Sequence, residues 1–77
     1  MDKDLFNENI GYRLRVAREQ KEIKGSTVAR KLGFTNANLS QMENGKRSVS
    51  LQNLMKFCEL YEKDVVYFLQ DIEKKKK

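Results

Sequence analysis

The sequence predicts an all-α fold: five short helices in a single domain. Three observations lead there. Proline is absent and glycine occurs only four times in 77 residues, while leucine, lysine and glutamate are common, a composition that favours helix. Apolar residues recur at helical spacing, as in Ile10, Leu14 and Ala17, or Leu51, Leu54, Phe57, Cys58 and Tyr61. Capping residues and glycines punctuate the chain between these runs. A chain of this length sits near the size where one core supplies only about 3–5 kcal/mol. It has no room for a catalytic domain beside a sensor domain. The domain is expected over residues 1–73, with the lysines at 74–77 as a disordered, solvated tail.

The first helix is expected from Leu5 to Glu22, capped by Asp4. The second runs from Gly25 or Ser26 to Leu32; Ser26 as its cap would shorten it by a turn. Thr35 is the natural cap of the third, over Asn36–Asn44, and Gly45 closes it. The fourth begins after Ser50. The fifth follows Asp64 and carries Val65, Phe68, Leu69 and Ile72. Its run VVYFL places apolar groups all around the helix. Val65, Phe68 and Leu69 can cover the core, which leaves Val66 and Tyr67 in need of another partner.

The second and third helices form a unit, KGSTVARKLGFTNANLSQMENGKR. Ala29 is small enough for two helices to cross closely, and Gly33 tolerates the positive φ of a tight reversal. Val28, Leu32, Phe34, Leu39 and Met42 are the apolar positions, and Phe34, Met42 and Cys58 read as core. The third helix turns Asn36, Asn38 and Gln41 outward. Such amides donate and accept at once, as reading an adenine edge in the major groove requires. Residues 36, 37, 40 and 41 share one face, where Ala37 offers a methyl suited to thymine. Asparagine is a poor helix former, so three in nine residues points to contact rather than plain solvation. Base contacts are therefore expected from Asn36, Ala37, Asn38, Ser40 and Gln41. Phosphate contacts are expected from Asn44, Lys46 and Arg47, and from the amino end of the second helix at Ser26 and Thr27, where unpaired amides collect. Arg30 and Lys31 fit a phosphate contact or a solvated face equally well.

The formal charge of +5 is mostly tail, since the four terminal lysines supply four of it. Its distribution says more. Residues 24–47 carry Lys24, Arg30, Lys31, Lys46 and Arg47 against a single acid, Glu43, while residues 48–73 are net acidic. That polarity favours docking on a polyanion in one orientation.

Over residues 10–69 the chain resembles the lambda-repressor/Cro-like (XRE-type) helix-turn-helix domain of phage repressors and small bacterial regulators. The matches are IGYRLRVAR at 10–18, VARKLG at 28–33, LSQMENGKR at 39–47, and the spacing of Leu54, Cys58, Phe68 and Leu69. The resemblance implies a compact five-helix domain, with Asn36, Ala37 and Gln41 where the family reads bases. It implies that Arg18 pairs with Glu43 and fixes the angle of the third helix, a gain in orientation more than in net stability. It also implies a homodimer formed through the C-terminal helix, here Val66 and Tyr67, with two recognition helices about one DNA turn, roughly 34 Å, apart. One departure stands out: Gly25 replaces the family's usual glutamine.

Other chemistry finds little support. Cys58 is alone and histidine is absent, so no internal disulfide, zinc site or His-assisted nucleophile can be assembled; no metal or cofactor is expected, and no enzyme. The start, MDKDLFNEN, is acidic with no apolar run, so neither a signal peptide nor a membrane span is expected, and a reducing cytoplasm is the natural setting. Two function classes stay open. One is a homodimeric regulator, a repressor by preference, on an inverted repeat of double-stranded DNA. The other is an antitoxin or antirepressor that uses the fold to hold a protein partner, with DNA binding weak.

Overall fold

A computed structural model describes residues 3–70 of the chain. It contains α1 (Lys3–Gln20), α2 (Gly25–Leu32), α3 (Asn36–Glu43), α4 (Leu51–Tyr61) and α5 (Val65–Leu69). The helix α1 is the spine, packing against α3, α4 and α5, while α2 packs on α3. Every helix contributes to one core: Ile10, Leu14 and Ala17 from α1, Val28 and Ala29 from α2, Leu39 and Met42 from α3, Leu54, Phe57 and Tyr61 from α4, and Phe68 from α5. The rings of Phe34, Phe57 and Tyr61 stack in series at 5.6 and 5.9 Å, tying the turn after α2 to α4.

The helix boundaries follow backbone chemistry more than the best available capping side chain. The first helix begins at Lys3, so Asp4 is not its cap but lies in its first turn, where a carboxylate suits the dipole. It stops at Gln20, two residues short of expectation, because Glu22 turns left-handed (φ 57°) and the Ile23 amide bonds back to the Arg18 carbonyl. Ser26 is likewise not a cap. Extended Lys24 precedes α2 without a side-chain cap, and the helix starts at Gly25. Thr35 and Ser50 do cap, their hydroxyls accepting from the amides of Asn38 (3.0 Å) and Asn53 (3.1 Å). Gly33 stands at φ 81° and closes α2, with the Phe34 amide bonded to the Ala29 carbonyl. Asn44 is the C-cap of α3 and not its last residue.

Two expectations at the C-terminal end change. Leu69 is 48 % exposed and does not cover the core, because α5 is only five residues long and Phe68 alone of them is buried. Tyr67 finds partners within its own chain: its ring meets Phe68 edge-on at 5.0 Å and lies beneath the Arg13 guanidinium and the Lys63 ammonium. Val66 remains 60 % exposed. Cys58 is half-buried against the core. Ile72 and the lysine tail at 74–77 lie outside the described residues.

Candidate nucleic-acid interface

The α3 helix is held from behind and open in front. Leu39 and Met42 enter the core; Asn36, Ala37, Ser40, Gln41 and Asn44 face solvent, and Asn38 is half-buried beside them. What fixes this orientation is a row on α1 formed by Gly11, Arg15 and Arg18, each one turn from the next.

Gly11 permits the approach. A Cβ built there would stand 2.5 Å from the Met42 carbonyl oxygen and 2.7 Å from that of Glu43, so only glycine lets α1 touch the end of α3. One turn on, Arg15 Nη2 donates to Asn44 Oδ1, and Asn44 Nδ2 donates to Ser40 Oγ at 3.4 Å. A further turn on, Arg18 holds both Glu43 oxygens along one edge of its guanidinium: Nε to Oε2 at 2.8 Å and Nη2 to Oε1 at 3.1 Å. Its Nη1 reaches the Ile23 carbonyl at 3.1 Å, so one guanidinium joins α1, the loop before α2 and the end of α3. The Glu43 carboxylate raises the Arg18 pKa still further above its ordinary value, against the opposing effect of burial. The ionic form is therefore locked in. Cations facing the carbonyl end of α3 also complement its dipole.

Tyr61 sits fully buried beside this pair. Burial, with the nearby Glu43 carboxylate adding and Arg18 opposing, pushes its phenol well above the usual range. Its hydroxyl makes no hydrogen bond among the described residues.

In front of the ion pair opens a cleft lined by Arg15, Ser26, Asn36, Ser40 and Asn44. The amino end of α2 forms one wall. Its first turn holds no acidic residue, and the Thr27 amide is already bonded to the Lys24 carbonyl at 3.1 Å, so the amides of Gly25 and Ser26 are its open donors among the described residues. Ser26 is exposed and Thr27 half-buried. Lys46 and Arg47 are exposed beyond the far end of α3, and Arg47 Nε donates to Gln41 Oε1 at 3.1 Å. Arg30 and Lys31 are exposed on α2. The residues read as contacts thus lie on and around α3, whereas Val66 and Tyr67 stand apart on α5.

Sequence reasoning missed Arg15 and Gly11. Arg15 meets a partner 29 positions away, which no local pattern encodes; its one available signal is that it shares the stripe of Gly11 and Arg18. No group of His, Cys, Asp and Glu able to hold a metal ion occurs among the described residues, and burial, with Asp64 nearby, raises the Cys58 thiol above its usual pKa. No helix among the described residues is long and apolar enough to cross a membrane.

Residues 14–68 match the model of a family described as Helix-turn-helix. Among solved structures the chain is similar to the restriction-modification controller protein C.AhdI from Aeromonas hydrophila, at 27% identity and a TM-score of 0.74, over 80% of this chain and 94% of that one. It is similar to the clp gene regulator ClgR from C. glutamicum at 25% identity and a TM-score of 0.82, over 95% of each chain. The DNA-binding domain of BldD, at 24% identity and a TM-score of 0.76 over 91% of this chain and 100% of that one, shares the fold. No curated protein matches the chain.

Proposed function

The chain belongs to the helix-turn-helix family, and from that premise we propose that it is a DNA-binding transcriptional regulator that reads a specific duplex sequence with α3. The observation that carries this reading is the outward row Asn36, Ala37, Ser40 and Gln41 on a helix braced from behind by Arg18 and Glu43. Short amides and a methyl suit base edges in the major groove. Lys46, Arg47, Asn44 and the open amides at the start of α2 flank that row and suit phosphates on either side. Supporting this, two similar proteins are by their names a gene regulator and a controller protein. We place the regulator in the cytoplasm, acting as a repressor.

We further propose that it binds an inverted repeat as a homodimer. Val66, 60 % exposed on α5, is the natural centre of the two-fold contact. Tyr67, half-buried between Arg13 and Lys63, would take part through its exposed edge. A second reading, a module that holds a protein partner, is favoured by Leu51 and Met55, which stand one turn apart on α4 at 65 % and 59 % exposure.

Affinity measurements on the preferred site and on unrelated duplex test the first reading. Gln41→Ala and Asn36→Ala should each lose roughly 1–3 kcal/mol on the preferred site and relax the base preference. Lys46→Ala should weaken binding to every sequence alike. Equal losses on specific and unrelated DNA for the Gln41 and Asn36 variants would show that these residues do not read bases.

A further inference from the structure

At its carboxyl end α3 closes in a way that commits the next residues to its own outer face. The Lys46 amide donates to the Gln41 carbonyl at 2.8 Å and the Gly45 amide to that of Met42 at 3.2 Å, the paired bonds of a Schellman closure. Gly45 supplies the left-handed residue, at φ 74°. The same glycine is pressed on α1, where an added Cβ would lie 2.8 Å from Glu8 Cα, so the turn has one position available to it. The chain doubles back along α3, and the Arg47 side chain then reaches Gln41, Nε to Oε1 at 3.1 Å.

This bond has a direction. A guanidinium can only donate, so the atom facing it has to be the amide oxygen of Gln41. With one lone pair of that oxygen held by Arg47, the amide is fixed in orientation, and its two Nε2–H donors have no bonded partner among the described residues. Adenine asks an amide to accept from N6 and donate to N7 together, whereas guanine presents two acceptors, N7 and O6. We propose that Arg47 is a positioning residue that fixes the orientation of the Gln41 amide and occupies one of the two lone pairs of its oxygen, which tilts the base preference opposite Gln41 toward guanine and away from adenine, since adenine would have to share that oxygen with the guanidinium. The inference rests on the reading of Gln41 as a base contact. It gives Arg47 a role beyond charge: among the described residues its Nε–H alone of five donors is engaged, which leaves the rest of the fork for a phosphate.

The test measures relative affinity on duplexes in which each base pair of the preferred site is varied in turn, with circular dichroism confirming the fold of each variant. The wild-type chain should prefer guanine at the position whose preference disappears in Gln41→Ala. Arg47→Met should shift that position, and no other, toward adenine by roughly tenfold, the scale of one base-reading contact. Arg47→Lys should keep the wild-type salt dependence yet lose part of the guanine preference. In a Gln41→Ala background, Arg47→Met should lower affinity for every duplex alike. A wild-type preference for adenine opposite Gln41, or a guanine preference that Arg47→Met leaves unchanged, overturns the inference while the regulator reading stands. A wild-type chain without base preference at any position overturns both.

Discussion

A Cβ on Gly11 would meet two backbone carbonyls at 2.5 and 2.7 Å, and backbone at the end of a packed helix cannot step aside. Gly25 differs: its nearest neighbour would be the flexible Leu39 Cδ2 at 3.6 Å, an ordinary contact. The two glycines therefore predict opposite outcomes. Gly11→Ala should destabilise the fold by about 3 kcal/mol, the upper range for forced overpacking. Gly25→Ala should be neutral or stabilising by up to ~1 kcal/mol, because alanine is the better helix former. Urea titrations of the two variants check this; equal midpoints would contradict the contact between α1 and α3. Tyr61 supplies a second test at this scale. Its phenol is raised by burial in the folded chain but ionises near its ordinary value of 10.0 once unfolded. Its contribution is therefore intact below pH 10 and is lost as pH rises beyond it. Tyr61→Phe, which removes a buried hydroxyl without a partner among the described residues, should leave neutral stability within about 1 kcal/mol and flatten the alkaline loss. Thermal scans from neutral pH to above 10 would show both effects.

The α3 helix illustrates what an element needs beyond propensity. With eight residues and an asparagine-rich sequence, α3 is far below the length at which an isolated helix persists in water. It is held by the Thr35 cap at one end, the Gly45 closure at the other and the Arg18–Glu43 fork between them. Removing one partner from that fork leaves the other partly buried and unpaired. Glu43→Ala should therefore lower stability by about 2–3 kcal/mol, less than a fully buried pair because the Arg18 side chain keeps 19% exposure. Amide exchange within α3 should rise in the same variant; unchanged exchange would mean that the pair does not brace the helix. Five helices were legible in the sequence from apolar runs at helical spacing, with Gly33, Thr35, Gly45 and Ser50 marking four of their ends. The start of α2 was not. Ser26 is the better capping residue, yet the helix begins a residue earlier, since packing of Val28 and Ala29 sets its register and an uncapped amino end is left open. Nor was the end of α1 legible, where a glutamate adopts the left-handed conformation that glycine usually takes. The outward amides of α3 could be read from periodicity, whereas Arg15 on Asn44 and Arg47 on Gln41 could not, since they depend on how turns and neighbouring helices meet.

The whole molecule is polarised. Apart from the lysines at 74–77, residues 24–47 carry five basic residues against one acid and residues 48–73 carry five acids against two basic ones, with Glu62 paired to Lys21 at 2.9 Å. On the proposed reading such a body would approach a polyanion with α3 forward. If two copies join through α5, Val66→Glu would set like charges against each other across the axis, and the variant should stay helical but sediment as a monomer with sharply reduced affinity for DNA. A wild-type chain already monomeric at micromolar concentration, free and on DNA, would remove the dimer from the account and leave the half-site reader. The central claim is that α3 reads duplex DNA, and selection of bound fragments from a random duplex pool at physiological salt tests it most directly. Enrichment of one short sequence, repeated in inverted orientation about one helical turn apart, is the predicted result. A pool that emerges as random as it entered would contradict the claim.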